Sequence, residues 1–149
     1  MNNERTVGLD VGEVRIGIAV SDPLGIIAQP RQVLRRTTLA EDLQAIKSLV
    51  EELAAIRIVV GLPLDQHGKP GLQAEKVEQF VAALRSAVAV DVVTMDERFS
   101  TAAAQRFLID ADVSRRRRKK VIDKVAAQHI LQSYLDRMAA RRKASRSDG

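Results

Sequence analysis

This 149-residue sequence predicts an α/β domain, a five-stranded mixed sheet with helices on both faces. Three observations carry that expectation. Two apolar runs stand almost back to back near the start, and a third follows. Two later apolar runs are short and unbroken, as in strands covered on both faces. Segments with apolar residues at helical spacing alternate with them, the pattern of parallel strands joined by crossover helices.

The first run, Thr6-Val7-Gly8-Leu9-Asp10-Val11-Gly12, read as a strand sends Val7, Leu9 and Val11 to one face and Thr6, Gly8, Asp10 and Gly12 to the other. An acid is thereby flanked on its own face by two glycines. The second run, Arg15 to Ser21, repeats the pattern, with Ile16, Ile18 and Val20 opposite Gly17, Ala19 and Ser21. A face this bare is expected to leave room for something large or charged to approach the backbone. A third strand is expected over Gly25 to Leu34, and Leu39, Leu43, Ile46, Val50 and Leu53 then mark a helix. Ile56 to Gly61 predicts a buried strand, ended by Pro63 and the Gly68-Lys69-Pro70-Gly71 loop. Val77, Phe80, Val81 and Leu84 mark the next helix, and Val90 to Met95 the fifth strand. Beyond it, Ser100 or Thr101 is placed to cap a helix over about 102–109. A mobile loop is expected over 110–120, then a final helix from Val121 to Met138. The domain is expected to span 1–138, followed by a basic flexible tail over 139–149.

Apolar residues make up 46% of the chain, enough for one substantial core. No apolar segment approaches the roughly 18 residues that cross a bilayer, and the polar start does not resemble a secretion signal, so a cytoplasmic protein without membrane partners is expected. The absence of cysteine excludes disulfides, thiolate zinc sites and cysteine nucleophiles, and two isolated histidines argue against a histidine metal site. Any metal would therefore sit on carboxylates. The net charge of +5 is unevenly spread: residues 1–113 hold 12 basic and 16 acidic groups, whereas 114–149 hold 12 basic and 3 acidic. A positive segment on a mildly acidic body points to a polyanion, nucleic acid before a membrane surface.

Ligands of such sheets gather beyond the carboxyl ends of the parallel strands. Asp10, the loop after Gly61, and the Asp96-Glu97 pair all fall at such ends. Asp96 and Glu97 would point to opposite faces of an extended strand, so only one can share a site with Asp10. Asp123 falls on the final helix among Ala126, Ala127, Ile130 and Tyr134, close to the face that should pack on the sheet, where a carboxylate needs a positive partner. The helix dipole or the neighbouring Lys119, Lys120 and Lys124 would equally serve an acid in a first turn. Three such acids suit magnesium or manganese, which take hard oxygen ligands. Two such ions about 4 Å apart drive in-line phosphodiester hydrolysis without a protein nucleophile.

The stretches GLDVGEVRIGIAVSD at 8–22, VVGLPLDQHGKPG at 59–71, DERFSTAAAQRFL at 96–108 and KVIDKVAAQHILQSYLD at 120–136 resemble, in the same order, the YqgF family of pre-16S ribosomal RNA nucleases, also described as Holliday junction resolvase-like, within the RNase H-like superfamily. The resemblance implies an RNase H-like fold and a catalytic, metal-binding triad of Asp10, Glu97 and Asp123, favouring Glu97 over Asp96. It also implies a metal-dependent nuclease acting on structured RNA in 5′ end maturation of pre-16S ribosomal RNA and ribosome biogenesis, with Mg2+ or Mn2+ as cofactor. A resolvase-like DNA endonuclease, or a nucleic-acid-binding ribosome or transcription factor with little turnover, are the alternatives. Asp65 stands where many members carry asparagine.

Arg98 directly follows Glu97 and is within reach of a phosphate or of an acid such as Asp96. Arg115, Arg116, Arg117, Arg118, Lys119 and Lys120 form an unbroken basic run just before Asp123, expected to guide a nucleic-acid backbone. Pre-ribosomal RNA is the favoured partner and branched DNA the second, with the protein a monomer or weak homodimer. His67 is expected to be a solvated loop residue and His129 a structural one. With three Phe, one Tyr and no Trp, binding should rest on phosphates and shape rather than on stacked bases.

Overall fold

The computed structural model describes residues 3–65, 67–97 and 115–147, with side chains from 125 to 145 in the last segment. Its elements are β1 (Thr6–Val11), β2 (Arg15–Ser21), β3 (Ala28–Arg35), α1 (Leu39–Leu53), β4 (Arg57–Leu62), α2 (Leu72–Ala87), β5 (Asp91–Asp96) and α3 (Arg115–Ser147). The strands form one sheet in the order β3-β2-β1-β4-β5. The first three make an antiparallel meander, while β4 and β5 join parallel to β1. The five strands, their mixed pairing and helices on both faces are as the sequence predicts.

Each face of the sheet buries what strand alternation sends to it. Val7, Leu9, Val11, Ile16, Ile18, Ile58, Val60 and Val92 pack against α1 and α2 through Ile46, Val50, Val77, Phe80 and Leu84. On the opposite face Ala19, Ala28, Val59 and Met95 meet Ala126, Ala127, Ile130, Leu131 and Leu135 of α3. The Thr38 hydroxyl caps α1 by accepting the Glu41 N–H at 3.1 Å.

Three expectations are corrected. The third strand starts at Ala28 rather than Gly25, because the Asp22 carboxylate accepts the N–H groups of Ile26 and Ile27 at 2.7 and 2.8 Å while Gly25 takes a φ of +68°. The loop so capped cannot donate those groups to a ladder. The last helix starts at Arg115 rather than Val121, so 115–120 are helical and not loop. It also runs on to Ser147, past the expected end at Met138. Residues 139–145 are exposed, and their sequence supplies no apolar periodicity from which the continuation could be read. The helix expected over 102–109 lies outside the described residues, as do Arg98, Ser100 and Thr101.

The face expected to be bare is occupied. A side chain on Gly8 would begin 2.7 Å from Leu131 Cβ and 3.1 Å from the Ala127 carbonyl oxygen. Gly8 is therefore small so that α3 can lie directly on the sheet, not so that a ligand can reach the backbone. Gly12 belongs to the hairpin turn, where its N–H donates to the Arg15 carbonyl at 2.9 Å. Three side-chain bonds pin α3 to the start of β3. Gln132 accepts the Ala28 N–H at 2.7 Å and donates to the Ile26 carbonyl at 2.9 Å, and Gln128 donates to the Ala28 carbonyl at 3.3 Å. Among the described residues no helix is long and apolar enough to cross a membrane.

Candidate active site

Asp10 is the penultimate residue of β1 and shares the α3 face with Gly8 by strand alternation. It is only 7% exposed. Pairing of Gly8 with Val59 and Leu9 with Val60 carries forward to set Asp10 beside Gly61 of β4. On the other side of β4, Gly61 pairs with Met95. Glu97, two residues beyond Met95, is 9% exposed and folds back over β4, its Oε1 lying 2.9 Å from where a Gly61 side chain would begin. The same position is closed by Ile130 of α3. Gly61 is thus the residue whose missing side chain admits the Glu97 carboxylate to the face that Asp10 occupies. Asp96 is half-buried and lines a groove with Tyr134 and Arg137.

Asp123 lies on α3 one turn before Ala127, the residue whose carbonyl covers Gly8. Leu135 and Met138, further along, border a groove with Thr6 and Arg57 at the starts of β1 and β4. The helix therefore runs antiparallel to β1, and residue 123 sits four residues, about 6 Å, nearer the edge that carries Asp10. Its side chain, and those of Arg115, Arg116, Arg117, Arg118, Lys119 and Lys120, are outside the described set. Among the described side chains no group of three His, Cys, Asp or Glu is gathered as a metal site. Asp10 and Glu97, buried on one face and edge, are oxygen donors of the kind that hard cations take.

Several residues escaped the sequence. Asp42, 2% exposed, accepts Arg36 Nε at 3.0 Å and the Thr37 N–H at 3.0 Å. The same guanidinium donates to the Gly12 carbonyl at 2.9 Å and lies 5.1 Å from the Phe80 ring centroid. A buried acid thus anchors the turn two residues after Asp10. The only sequence signal was its place on the apolar stripe of α1, four residues before Ile46. Lys76 bonds Glu13 in the same turn at 2.6 Å, and this bond and charge hold the Glu13 carboxyl below its usual range. Asp65 organises its own loop, accepting the N–H groups of His67 and Lys69 at 2.8 Å each, with Gly68 at a φ of +79°. An asparagine oxygen can accept the same bonds. His67 is exposed on that loop, and burial pushes the His129 pKa down.

A family model described as RuvX, Holliday junction resolvase, matches residues 4–137. The chain belongs to this family. Within the RuvX family, it is 53% identical over 135 residues to a protein of Halalkalibacterium halodurans, covering 89% of this chain and 96% of that one. It is 52% identical over 134 residues to one of Moorella thermoacetica, covering 90% and 96%. Both relatives bear the name "Putative pre-16S rRNA nuclease". Among solved structures, Thermus thermophilus RuvC in complex with a Holliday junction substrate superposes with a TM-score of 0.57 at 13% identity, covering 91% of this chain and 96% of that one. At that identity the likeness concerns the fold, which is the RNase H-like fold expected from the sequence.

Proposed function

We propose that this RuvX-family chain is a metal-dependent nuclease that hydrolyses phosphodiester bonds in structured RNA, acting in 5′ end maturation of pre-16S ribosomal RNA. The observation that carries the proposal is the burial of Asp10 and Glu97 on one face, at one edge, of the sheet, with Gly61 clearing the space between their strands. Two carboxylates gathered at one edge are hard oxygen donors, and Mg2+ or Mn2+ is the cation that suits such donors. Asp10, Glu97 and Asp123 would hold it. When bound, such an ion supplies Lewis acidity for attack of water on a phosphodiester.

The chain's own residues prepare that site. Gly61 leaves room for the Glu97 carboxylate, whose Oε1 lies 2.9 Å from where a side chain at 61 would begin. Arg36 and Asp42 fix the turn that follows Asp10. The basic run 115–120 occupies the first turns of α3, where the helix dipole disfavours cations and no acid stands in the first turn. A phosphate backbone lying there relieves that repulsion. Arg98 would add a phosphate contact beside Glu97.

Purified protein assayed with magnesium or manganese on pre-ribosomal RNA, against an EDTA control, should show metal-dependent cleavage that Asp10→Asn and Glu97→Gln abolish while the fold persists. Undiminished cleavage by Asp10→Asn would overturn the mechanism. The family's description favours a second reading, in which the same acids cut branched DNA. Paired cuts in a four-way junction by a dimeric form, without cleavage of pre-ribosomal RNA, would select it. The protein is expected to act in the cytoplasm, as rRNA maturation requires.

A further inference from the structure

The C-terminal half of α3 carries a stripe that the proposed chemistry does not use. Tyr134, Arg137, Met138, Arg141, Arg142 and Ser145 recur at i, i+3, i+4, i+7, i+8 and i+11, which places them on one helix face over about 16 Å. Two grooves flank this stripe and share Tyr134, Met138 and Arg141. The first, of about 360 Å3, begins at Asp96, next to Glu97, and follows Val93 to Met95 along β5, an edge strand of the sheet. The second, of about 450 Å3, continues past Arg142 to Arg57 at the start of β4. Together they make a trough from the acidic edge to the opposite end of the sheet. Its arginines, at positions 57, 137, 141 and 142, outnumber its acids, Glu4 and Asp96.

We propose that this trough receives an unpaired nucleic-acid strand leaving the cleavage edge, with Arg141 and Arg142 on its phosphates and Tyr134 against a base. The proposal rests on the nuclease reading for its substrate class. Exposed guanidinium groups match phosphate geometry. The half-buried ring of Tyr134, the chain's single tyrosine, lies among them, which is how a strand-binding groove combines charge with a stacking platform. A base can stack there only if unpaired, which selects a single-stranded flank over a duplex.

The test uses the full chain carrying Asp10→Asn, so that binding is read without cleavage. Fluorescence anisotropy compares a blunt RNA hairpin with the same hairpin bearing a flank of roughly ten unpaired nucleotides. The tailed RNA should bind more tightly. Adding Arg141→Glu with Arg142→Glu should weaken the tailed RNA about tenfold more than the blunt one, and lower its salt slope by about 1.4, near 0.7 for each arginine on a single strand. Tyr134→Leu should weaken the tailed RNA about fivefold or more, while Tyr134→Phe retains affinity because the ring remains. Equal affinity for both RNAs, or equal losses on both in the arginine variant, would overturn the proposal. So would unaltered RNA affinity with a changed oligomeric state, which would assign the trough to a second copy of the chain. Cleavage that survives Asp10→Asn defeats the proposed active site alone, whereas absent tail dependence with cleavage lost defeats the trough alone.

Discussion

The two faces of the sheet solve different problems with the same strands. Against α1 and α2 the strands present Val7, Leu9, Ile16, Ile18, Ile58 and Val60, large apolar side chains that fill a continuous core. Against α3 they present Gly8, Ala19 and Gly61, and one helix lies close enough for Leu131 and Ile130 to occupy the vacated space. Bulk on the first face supplies stability, since each buried aliphatic contributes about 1.5–3 kcal/mol. Smallness on the second brings the Asp10 position, Glu97 and the backbone of α3 to one edge. The two demands are separated by strand alternation, so the chain can tune one with little cost to the other.

That division can be broken most severely at Asp10. Asp10→Asn should cost several kcal/mol of transition-state stabilisation, about a thousandfold or more in cleavage rate, with the melting temperature almost unchanged. Single-turnover cleavage beside a thermal melt checks it. On the other face, Ile58→Ala should have the reverse profile, losing about 3 kcal/mol of unfolding free energy in urea while the residual folded protein keeps its rate.

Gly8→Ala sharpens the comparison, because it adds bulk where α3 approaches most closely. The new methyl would start 2.7 Å from Leu131 Cβ, so the helix must move, at about 1–3 kcal/mol, and cleavage should fall along with stability. A mutant with full activity and lowered stability would show that α3 does not position the site. The smallest expected effect is Thr38→Ala, about 1 kcal/mol from the lost α1 cap and none on cleavage.

A pH series separates the faces in another way. Burial lowers the His129 pKa in the folded state, so below its usual value of 6.5 the unfolded chain binds more protons and stability falls as pH falls. Above 6.5 both states hold the imidazole neutral and the effect vanishes. His129→Gln should flatten that acid slope in urea-unfolding measurements.

Much of this was legible from period and breakers alone. Alternation in Thr6 to Gly12 and Arg15 to Ser21 assigns residues to faces correctly, because a strand has only two faces to choose between. The acids at strand ends followed from the same pattern. The expectation that failed concerned what the glycines are for. A bare strand face has the same sequence whether it admits a ligand or a helix, and the choice depends on α3, which arrives more than a hundred residues later. The start of α3 was hidden for a related reason, since Arg115 to Lys120 contains no apolar residue whose period could be read.

By itself the sequence determined the α/β class, the order of the strands along the chain, the face of each residue in the first two strands and the types of side chain available for chemistry, because all of these follow from local periodicity and composition. Only the tertiary structure decided that Gly8 and Gly61 serve α3 and Glu97, that Asp42 and Arg36 anchor the turn after Asp10, and that Tyr134 shares a trough with arginines. Those relations join residues far apart in the chain. They depend on which surfaces meet when the core closes, and no local pattern encodes that.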